Sequence, residues 1–195
     1  MDYKEFDPIK EKLQNKLDEM RYEHTLGVMY TAGSLAMAYG QDIRQAMLAG
    51  LLHDCAKCIS LEEMVLWCDK YNFPISEMER GSKNLLHAKA GAVMAEHEYH
   101  INDREILRAI TYHCTGAPNM SMLDKIVYVA DFIEPGRKDA KNLDMIRKMA
   151  FVDLDACMAQ ITYDILNYLN SKGYVIDPTT EETYHFYKEC RKEID

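Results

Sequence analysis

Two acidic residues stand in apolar segments where an unpaired charge would be costly. Asp54 follows His53 inside LLHDCAK, and Asp131 interrupts the apolar run KIVYVADFI. A buried carboxylate or imidazole loses its hydration, so it needs a hydrogen-bonding partner, an opposite charge or a metal ion. A hydrogen bond between two helices would explain Asp131 equally well if it stood alone. A bound cation would satisfy the His53–Asp54 pair and Asp131 together.

The order of these residues along the chain strengthens the metal interpretation. His24 comes first, then His53 and Asp54 at the end of one apolar helix, then Asp131 after a second apolar run. Two imidazoles and two carboxylates suit a borderline divalent ion such as iron, manganese, cobalt or zinc. Four protein ligands would leave two octahedral positions for a water molecule and a phosphate oxygen, as metal-assisted hydrolysis requires. The pattern H…HD…D therefore predicts a metal-dependent hydrolase.

Two cationic residues close to these ligands could bind phosphate. Lys57 lies three residues after Asp54 and four after His53, which places it on their face of a helix. Its alternative role is a surface lysine whose stem covers apolar atoms. Arg137 directly follows Pro135 and Gly136. It could bind a phosphate through two parallel hydrogen bonds, or it could be an ordinary loop arginine.

The remaining histidines and the cysteines favour structural roles. His97 and His100 are three residues apart among charged neighbours and are expected to face solvent, whereas His185 is expected to be partly buried on the last helix. Cys55 and Cys58 form a CxxC motif one turn apart on a helix, with no second CxxC to complete a zinc ribbon. All six cysteines are expected to be reduced thiols.

The elements that must position these residues are predicted to be helices throughout. Apolar residues recur at helical spacing from Ile9 to Met20. No segment as long as a β-strand alternates between apolar and polar residues. Asp42, Ser60 with Glu63, Asn102 with Glu105, Ser121 with Asp124, and Asp177 are predicted helix starts. Gly40, Pro135–Gly136 and Gly173 are predicted stops. We expect an all-α bundle of eight to ten helices.

The length and charge of the chain limit the possible functions. Its 195 residues suit a single domain, here 1–195, with a metal-binding core over about 20–137 and C-terminal helices over about 139–193. A formal net charge of −9 disfavours nucleic acids and anionic membranes as partners. The charged N-terminal segment does not resemble a signal peptide, so a cytoplasmic location is expected. The abundant Met and Tyr would permit a homodimer.

Five segments together resemble one protein family. They are His24–Thr25, LLHDCAK (51–57), LLHAKAGA (85–92), AITYHCTG (109–116) and KIVYVADFIEPGR (125–137). Across them the chain is similar to HD-domain phosphohydrolases, and more narrowly to the bacterial symmetrical bis(5'-nucleosyl)-tetraphosphatase (YqeK) family. The string ADFIEPGR is the most specific part of the resemblance. It implies an HD-domain helical bundle that uses iron to cleave diadenosine tetraphosphate, a dinucleoside polyphosphate, into two ADP.

The resemblance also implies roles for individual residues. The metal ligands are His24, His53, Asp54 and Asp131. His87 and His113 match positions that face the substrate phosphates, although in binuclear relatives such histidines hold a second metal ion. In this scheme Asp54 orients the attacking water, a protonated His87 or His113 assists the leaving group, and the substrate also contacts His24, Lys57, Asp131 and Arg137. The alternatives are another HD nucleotide phosphohydrolase and a catalytically silent nucleotide sensor. The family's His-Pro pair is replaced by Asp177-Pro178, which we interpret as a helix cap.

Overall fold

The structure is a computed structural model that describes residues 3–190. Within that range it contains eleven α-helices, two short 3-10 helices and no β-strand. The α-helices are α1 Asp7–Lys16, α2 Glu19–Ala38, α3 Ile43–Leu52, α4 Leu61–Lys70, α5 Glu77–Arg80, α6 Lys83–His97, α7 Arg104–Tyr112, α8 Met122–Ile133, α9 Leu143–Met149, α10 Leu154–Lys172 and α11 Pro178–Tyr187. The all-α prediction is confirmed, whereas the predicted count of eight to ten helices is too low.

Most predicted helix starts lie at the expected residue. The side chains of Asp42 and Asp177 accept hydrogen bonds from backbone N–H groups in the first turn of α3 and α11. Ser60 and Ser121 form capping boxes at the start of α4 and α8. Asp153 caps α10 through the amide of Ala156. These caps satisfy amides that have no partner inside the helix, which explains why local sequence determines where the helices begin.

Two predicted boundaries are wrong. The apolar spacing from Ile9 to Met20 suggested one helix, but α1 ends at Lys16 and Asp18 caps α2. Met20 therefore lies in the first turn of α2, and 84% of its surface is exposed. The cap of α7 is Asp103, one residue later than the predicted Asn102, and its carboxylate accepts from two amides of the first turn.

Small residues let α2 and α3 approach closely. A Cβ atom on Gly50 would lie 3.1 Å from the Cα of Met29, and one on Gly33 would lie 2.8 Å from the Cγ of Met47. The fully buried alanines on these two helices are Ala32, Ala36, Ala46 and Ala49. This close packing fixes the distance between the first turns of α2 and the C-terminal end of α3.

Helix α8 is packed against α2, α3, α7, α9 and α10. It is buried on most of its surface, as expected for a helix that is apolar nearly all round. Its C-terminal end is held by Arg147 of α9, whose guanidinium donates to the carbonyl oxygens of Ile133, Glu134 and Arg137. Those carbonyls have no partner within the helix. None of the helices in residues 3–190 is long and apolar enough to cross a membrane.

Candidate active site

Three helices bring His24, His53, Asp54 and Asp131 to one point. His24 lies in the second turn of α2 and Asp131 lies in the last turn of α8. The His24 Nε2 atom is 3.3 Å from His53 Nε2, 3.0 Å from Asp131 Oδ1 and 3.9 Å from Asp54 Oδ2. The His53 Nε2 atom is 3.5 Å from Asp54 Oδ2 and 3.9 Å from Asp131 Oδ1. Ligand atoms of His24, His53 and Asp131 all lie within 4.8 Å of one another, close enough to bind a single metal ion, and Asp54 belongs to a second such group with His53 and His113.

The His53–Asp54 pair lies just beyond a helix, not inside it as the sequence suggested. Helix α3 ends at Leu52, His53 is its C-cap, and residues 53–58 form consecutive turns. The His53 Nδ1 atom lies 2.7 Å from the carbonyl oxygen of Gly50. A carbonyl oxygen only accepts, so Nδ1 carries a proton and Nε2 is the ring nitrogen that a metal ion could bind. The end of α3 thereby directs Nε2 of His53 toward the other ligands.

Asp54 is the most buried carboxylate of the group, with 2% of its surface exposed. Its Oδ2 atom accepts a hydrogen bond from Arg21, whereas its Oδ1 atom has no hydrogen-bond partner among the described residues. Burial alone would raise the pKa of Asp54, but the charge of His53 and the neighbouring histidine rings outweigh it and lower the pKa well below its usual value. Asp54 is therefore an ionised carboxylate, and the polar neighbours of its Oδ1 atom are the ring nitrogens of His87 and His113.

Asp131 and His24 also have shifted pKa values. Burial alone would raise the pKa of Asp131, but its contact with His24 and the charges of His53 and Arg137 lower it. Burial opposes protonation of His24, yet its hydrogen bonds to Asp131 and Glu134 and the charges of Asp131 and Asp54 raise its pKa above the usual value. The cluster thus concentrates negative charge around the histidine nitrogens, which is the environment expected at a cation site.

His87 and His113 form a second group on the other side of Asp54. Their Nε2 atoms are 3.1 Å apart and lie 3.2 Å and 3.6 Å from Asp54 Oδ1. His113 is the C-cap of α7, and its Nδ1 atom donates to the carbonyl oxygen of Ile110, 2.7 Å away. The structure therefore brings both histidines beside Asp54 of the HD pair.

The surroundings of His87 favour a neutral ring. Burial, together with the charges of His113 and Lys57, lowers the pKa of His87 to about 4. The ring is therefore neutral near pH 7 in the metal-free protein. In this environment His87 can act as a neutral hydrogen-bonding group, and the assistance of the leaving group by a protonated His87 or His113 stays a prediction.

Lys57 and Arg137 both reach the site. The Nζ atom of Lys57 lies 3.1 Å from Nε2 of His87, although Lys57 belongs to the turns after α3 and not to a continuing helix. Arg137 donates to the backbone oxygen of Asp131 at 2.9 Å and to its Oδ1 atom at 3.1 Å. Both side chains line the cavity in front of the cluster. The structure therefore places both cationic side chains beside the cluster, and their contact with phosphate stays a prediction.

Two residues of the site were missed by the sequence analysis. The Nη1 atom of Arg21 lies 2.7 Å from Asp54 Oδ2, and the Oε1 atom of Glu134 lies 3.2 Å from His24 Nδ1. Each missed residue is three positions away from a ligand candidate on the same helix or at its end: Arg21 from His24, and Glu134 from Asp131. The three-residue spacing on a helix face could have drawn attention to both.

The cavity in front of the cluster has a volume of about 230 Å³. Its cationic lining residues are Arg21, Lys57 and Arg137, and Tyr128, Phe132, Ile161 and Ile165 supply apolar or aromatic surface. Cys114 also lines it, and burial raises the pKa of its thiol to about 12. Three cations at one opening give an acidic chain a local site for an anion.

The remaining histidines lie elsewhere. His97 and His100 are exposed, as predicted, and the ring of His97 stacks on Tyr71 with 3.6 Å between centroids. His185 is exposed, so its predicted partial burial is wrong; on α11 the buried face carries Thr183 and Tyr187 instead. Cys55 is buried and Cys58 is exposed in the turns after α3, and both are free thiols.

Comparison with known proteins identifies the class to which this site belongs. A family model described as the HD domain matches residues 21–136, the segment that carries every residue of the cluster. The chain is also similar to a crystal structure titled as a predicted HD superfamily hydrolase involved in NAD metabolism, from Clostridium acetobutylicum. That similarity has a TM-score of 0.91 at 38% identity and covers 95% of this chain and 98% of the other.

Relatives with similarity over nearly the whole chain carry one shared name. The protein from Bacillus subtilis (strain 168) is 37% identical, with 89% of this chain and 92% of that protein covered. The protein from Staphylococcus aureus (strain NCTC 8325 / PS 47) is 37% identical, with 91% and 92% covered. Both are named symmetrical bis(5'-nucleosyl)-tetraphosphatase. The chain therefore belongs to the HD domain family, and within it to the family of these symmetrical tetraphosphatases.

Proposed function

We propose that this protein is a metal-dependent phosphohydrolase that cleaves diadenosine tetraphosphate symmetrically into two ADP. The observation that carries the proposal is the convergence of two imidazoles and two carboxylates from three helices at the floor of a cation-lined cavity. The shared name of the relatives supplies the substrate, because no distance within the site specifies a dinucleotide. The site supplies the reaction class, metal-assisted hydrolysis of a phosphoric anhydride.

The residues that would hold the metal are His24, His53, Asp54 and Asp131. Their fit is supported by the Oδ1 atom of Asp54, a buried charged oxygen that has no hydrogen-bond partner among the described residues. It is also supported by the Nε2 lone pair of His53, which the Gly50 carbonyl directs inward. The mixed donor set suits iron, which the family resemblance favours, and also manganese, cobalt or zinc. A divalent ion held there would polarise a phosphoryl oxygen and activate water.

The cations at the cavity would bind the phosphate chain. Arg21, Lys57 and Arg137 line the cavity and contact three different residues, Asp54, His87 and Asp131, so together they could contact several phosphate oxygens of one bound chain. Preorganised positive groups in a largely buried site stabilise charge that develops on the phosphoryl oxygens in the transition state. Placing them around the ligand cluster would favour attack in the middle of a tetraphosphate and would hold its outer phosphates.

His87 and His113 would orient the reacting groups. Both rings are buried and their Nε2 atoms face Asp54 Oδ1. Because the pKa of His87 is lowered to about 4, this ring would donate or accept a hydrogen bond as a neutral group. We assign both histidines to hydrogen bonding with phosphate or with the attacking water, which Asp54 would also help to orient. The alternative assignment, ligation of a second metal ion, predicts a different metal content.

Product analysis in ¹⁸O-labelled water tests the proposal. Protein loaded with iron or manganese should convert diadenosine tetraphosphate to ADP alone, with one label per pair of products. AMP with ATP would show that attack occurs at an outer phosphorus, so the symmetrical assignment would be wrong. No turnover with any of the four metals, combined with nucleotide binding, would favour a sensor domain. Faster turnover of other nucleotides than of diadenosine tetraphosphate would indicate a different HD nucleotide phosphohydrolase.

Matched variants connect the reaction to the site. The Asp54→Asn variant should lose both bound metal and turnover, because a neutral amide replaces an ionised ligand. The control is Asp144→Asn on α9, where the side chain is 96% exposed, and it should retain both. Retention of full metal content and activity by Asp54→Asn would exclude Asp54 from the metal site.

A further inference from the structure

Glu134 lies directly behind the ring of His24. Its Oε1 atom is 3.2 Å from Nδ1 of His24, on the side of the ring opposite to the ligand cluster. The residue has 4% of its surface exposed. Its Oε2 atom accepts a hydrogen bond from the backbone amide of Gly136 at 2.5 Å, so both carboxylate oxygens have a partner. The carboxylate is therefore held in one position, where it contacts Nδ1 of His24.

The backbone of α2 leaves room for this carboxylate. A Cβ atom on Gly27 would lie 2.6 Å from Glu134 Oε2, closer than non-bonded atoms can approach. Gly27 lies three residues after His24, so one turn of α2 presents both the ring and the gap beside it. A side chain at position 27 would have to displace the carboxylate. The absence of a side chain at Gly27 thus allows the carboxylate of Glu134 to lie beside His24.

His24 needs such a partner because it lies inside a helix. His53 and His113 each follow the last residue of a helix, where a free carbonyl of the preceding turn accepts the proton of Nδ1. His24 is in the second turn of α2, where the backbone carbonyls accept from amides four residues later. An external acceptor is therefore required to fix its ring, and Glu134 is positioned to be that acceptor.

We propose that Glu134 is a positioning residue for the metal centre. By accepting the proton of Nδ1 it would keep the lone pair of His24 on Nε2, which faces His53 and Asp131. A carboxylate behind a ligating histidine also increases the basicity of the ring, and removing such partners costs 10- to 100-fold in metal affinity. This inference rests on the proposed metal centre. Glu134 would act through the His24 ring and would not itself contact the ion.

Titration of the metal-free full-length protein with Co²⁺, followed by visible absorption and calorimetry, tests the role. Glu134→Ala should weaken Co²⁺ binding by about 10- to 100-fold. Glu134→Gln should weaken it less, because the amide oxygen can still accept the Nδ1 proton but carries no charge. The matched control is Glu79→Gln, since Glu79 is also buried and instead pairs with Lys89 and caps α5. It should bind Co²⁺ like the wild type.

A double-mutant cycle separates positioning from a general effect on folding. Gly27→Ala should weaken Co²⁺ binding in the wild-type background, yet cause no further loss in Glu134→Ala, where the displaced carboxylate is already gone. Wild-type affinity in both Glu134 variants, with only the thermal midpoint of the metal-free protein lowered, would overturn the proposal and leave Glu134 a turn-forming residue. If Glu134→Ala does not fold, Glu134→Gln decides the matter. A wild-type protein that binds no Co²⁺ would overturn the metal centre itself.

Discussion

Arg21 of α2 and Asp54 in the turns after α3 form an ion pair, with 2.7 Å between Nη1 and Oδ2. The side chain of Arg21 is 33% exposed and faces the cavity, whereas that of Asp54 is 3% exposed. The same carboxylate is a proposed metal ligand. A divalent ion bound to Asp54 would compensate its charge and would leave the guanidinium of Arg21 available to a phosphate oxygen. The pair therefore links the metal site to the phosphate site.

We predict that Arg21→Ala lowers kcat/KM for diadenosine tetraphosphate by roughly 10²- to 10³-fold, the effect typical of losing one electrostatic stabiliser. Metal content should stay at the wild-type level, because the ligands remain. Arg44→Ala is the control, since Arg44 pairs with Glu5 on the protein surface. Loss of metal from Arg21→Ala would show instead that the guanidinium is needed to hold Asp54 in place.

The number of metal ions distinguishes two roles for His87 and His113. If they contact phosphate, elemental analysis should find one tightly held ion in the wild type and in both alanine variants. Each variant should raise the activation barrier by about 2–4 kcal/mol. His185→Ala, at an exposed position on α11, should change neither quantity. A wild type with two ions, one of which is lost from His87→Ala, would assign these histidines to a second metal site.

The lowered pKa of His87 predicts a pH dependence of stability for the metal-free protein. The unfolded chain binds a proton at this residue near pH 6.5, but the folded chain does so only near pH 4. The free energy of unfolding should therefore decrease as the pH falls through this interval, by up to about 3 kcal/mol from this residue. Urea titrations of the wild type and His87→Gln at pH 7 and pH 4.5 measure the difference. If the free energy of unfolding changed equally with pH in the two proteins, the assignment of His87 as a buried, neutral ring would be wrong.

The ligand order and the helix caps could be predicted from the sequence because both are local signals. Ser60 and Ser121 have their capping partner three residues later, and the H…HD…D order needs no distances. The same rule would have found α5, whose capping box joins Ser76 and Glu79. It would also have divided the first predicted helix, since Asp18 accepts from the amide of Arg21.

The roles of Arg21 and Glu134 depend on packing, so the sequence did not reveal them. Arg21 meets a carboxylate 33 residues away, and Glu134 meets a ring 110 residues away. These contacts are set by the close approach of α2 to α3 and to α8, which depends on the shapes of many side chains. The exposure of His185 was missed for a related reason: helical periodicity shows that a helix has two faces but does not show which face the rest of the fold covers.

The contact between α2 and α3 predicts a stability effect at Gly50. Gly50→Ala should decrease the free energy of unfolding by about 1–3 kcal/mol, because the added methyl group would press on the backbone of Met29. Gly81→Ala is the matched control, since Gly81 has an ordinary φ of −92° and its nearest atoms would be 3.7 Å away. Its effect should stay within about 0.5 kcal/mol. If urea unfolding gave the same free energy of unfolding for both variants, α2 and α3 would accommodate the added methyl group without loss of stability.

The thiols of this protein should differ strongly in reactivity. All six cysteines are free, and Cys58 is the exposed one among them. Burial raises the pKa of Cys114 to about 12, and its Sγ atom donates to the carbonyl oxygen of Asn84, so it should react slowly despite lining the cavity. Ellman's reagent should therefore modify Cys58 first in the folded protein and all six thiols in denaturant. The fast phase should disappear in Cys58→Ser. A reproducible shortfall of two thiols in denatured, freshly purified protein would indicate a disulfide and contradict the reduced state expected for the CxxC motif.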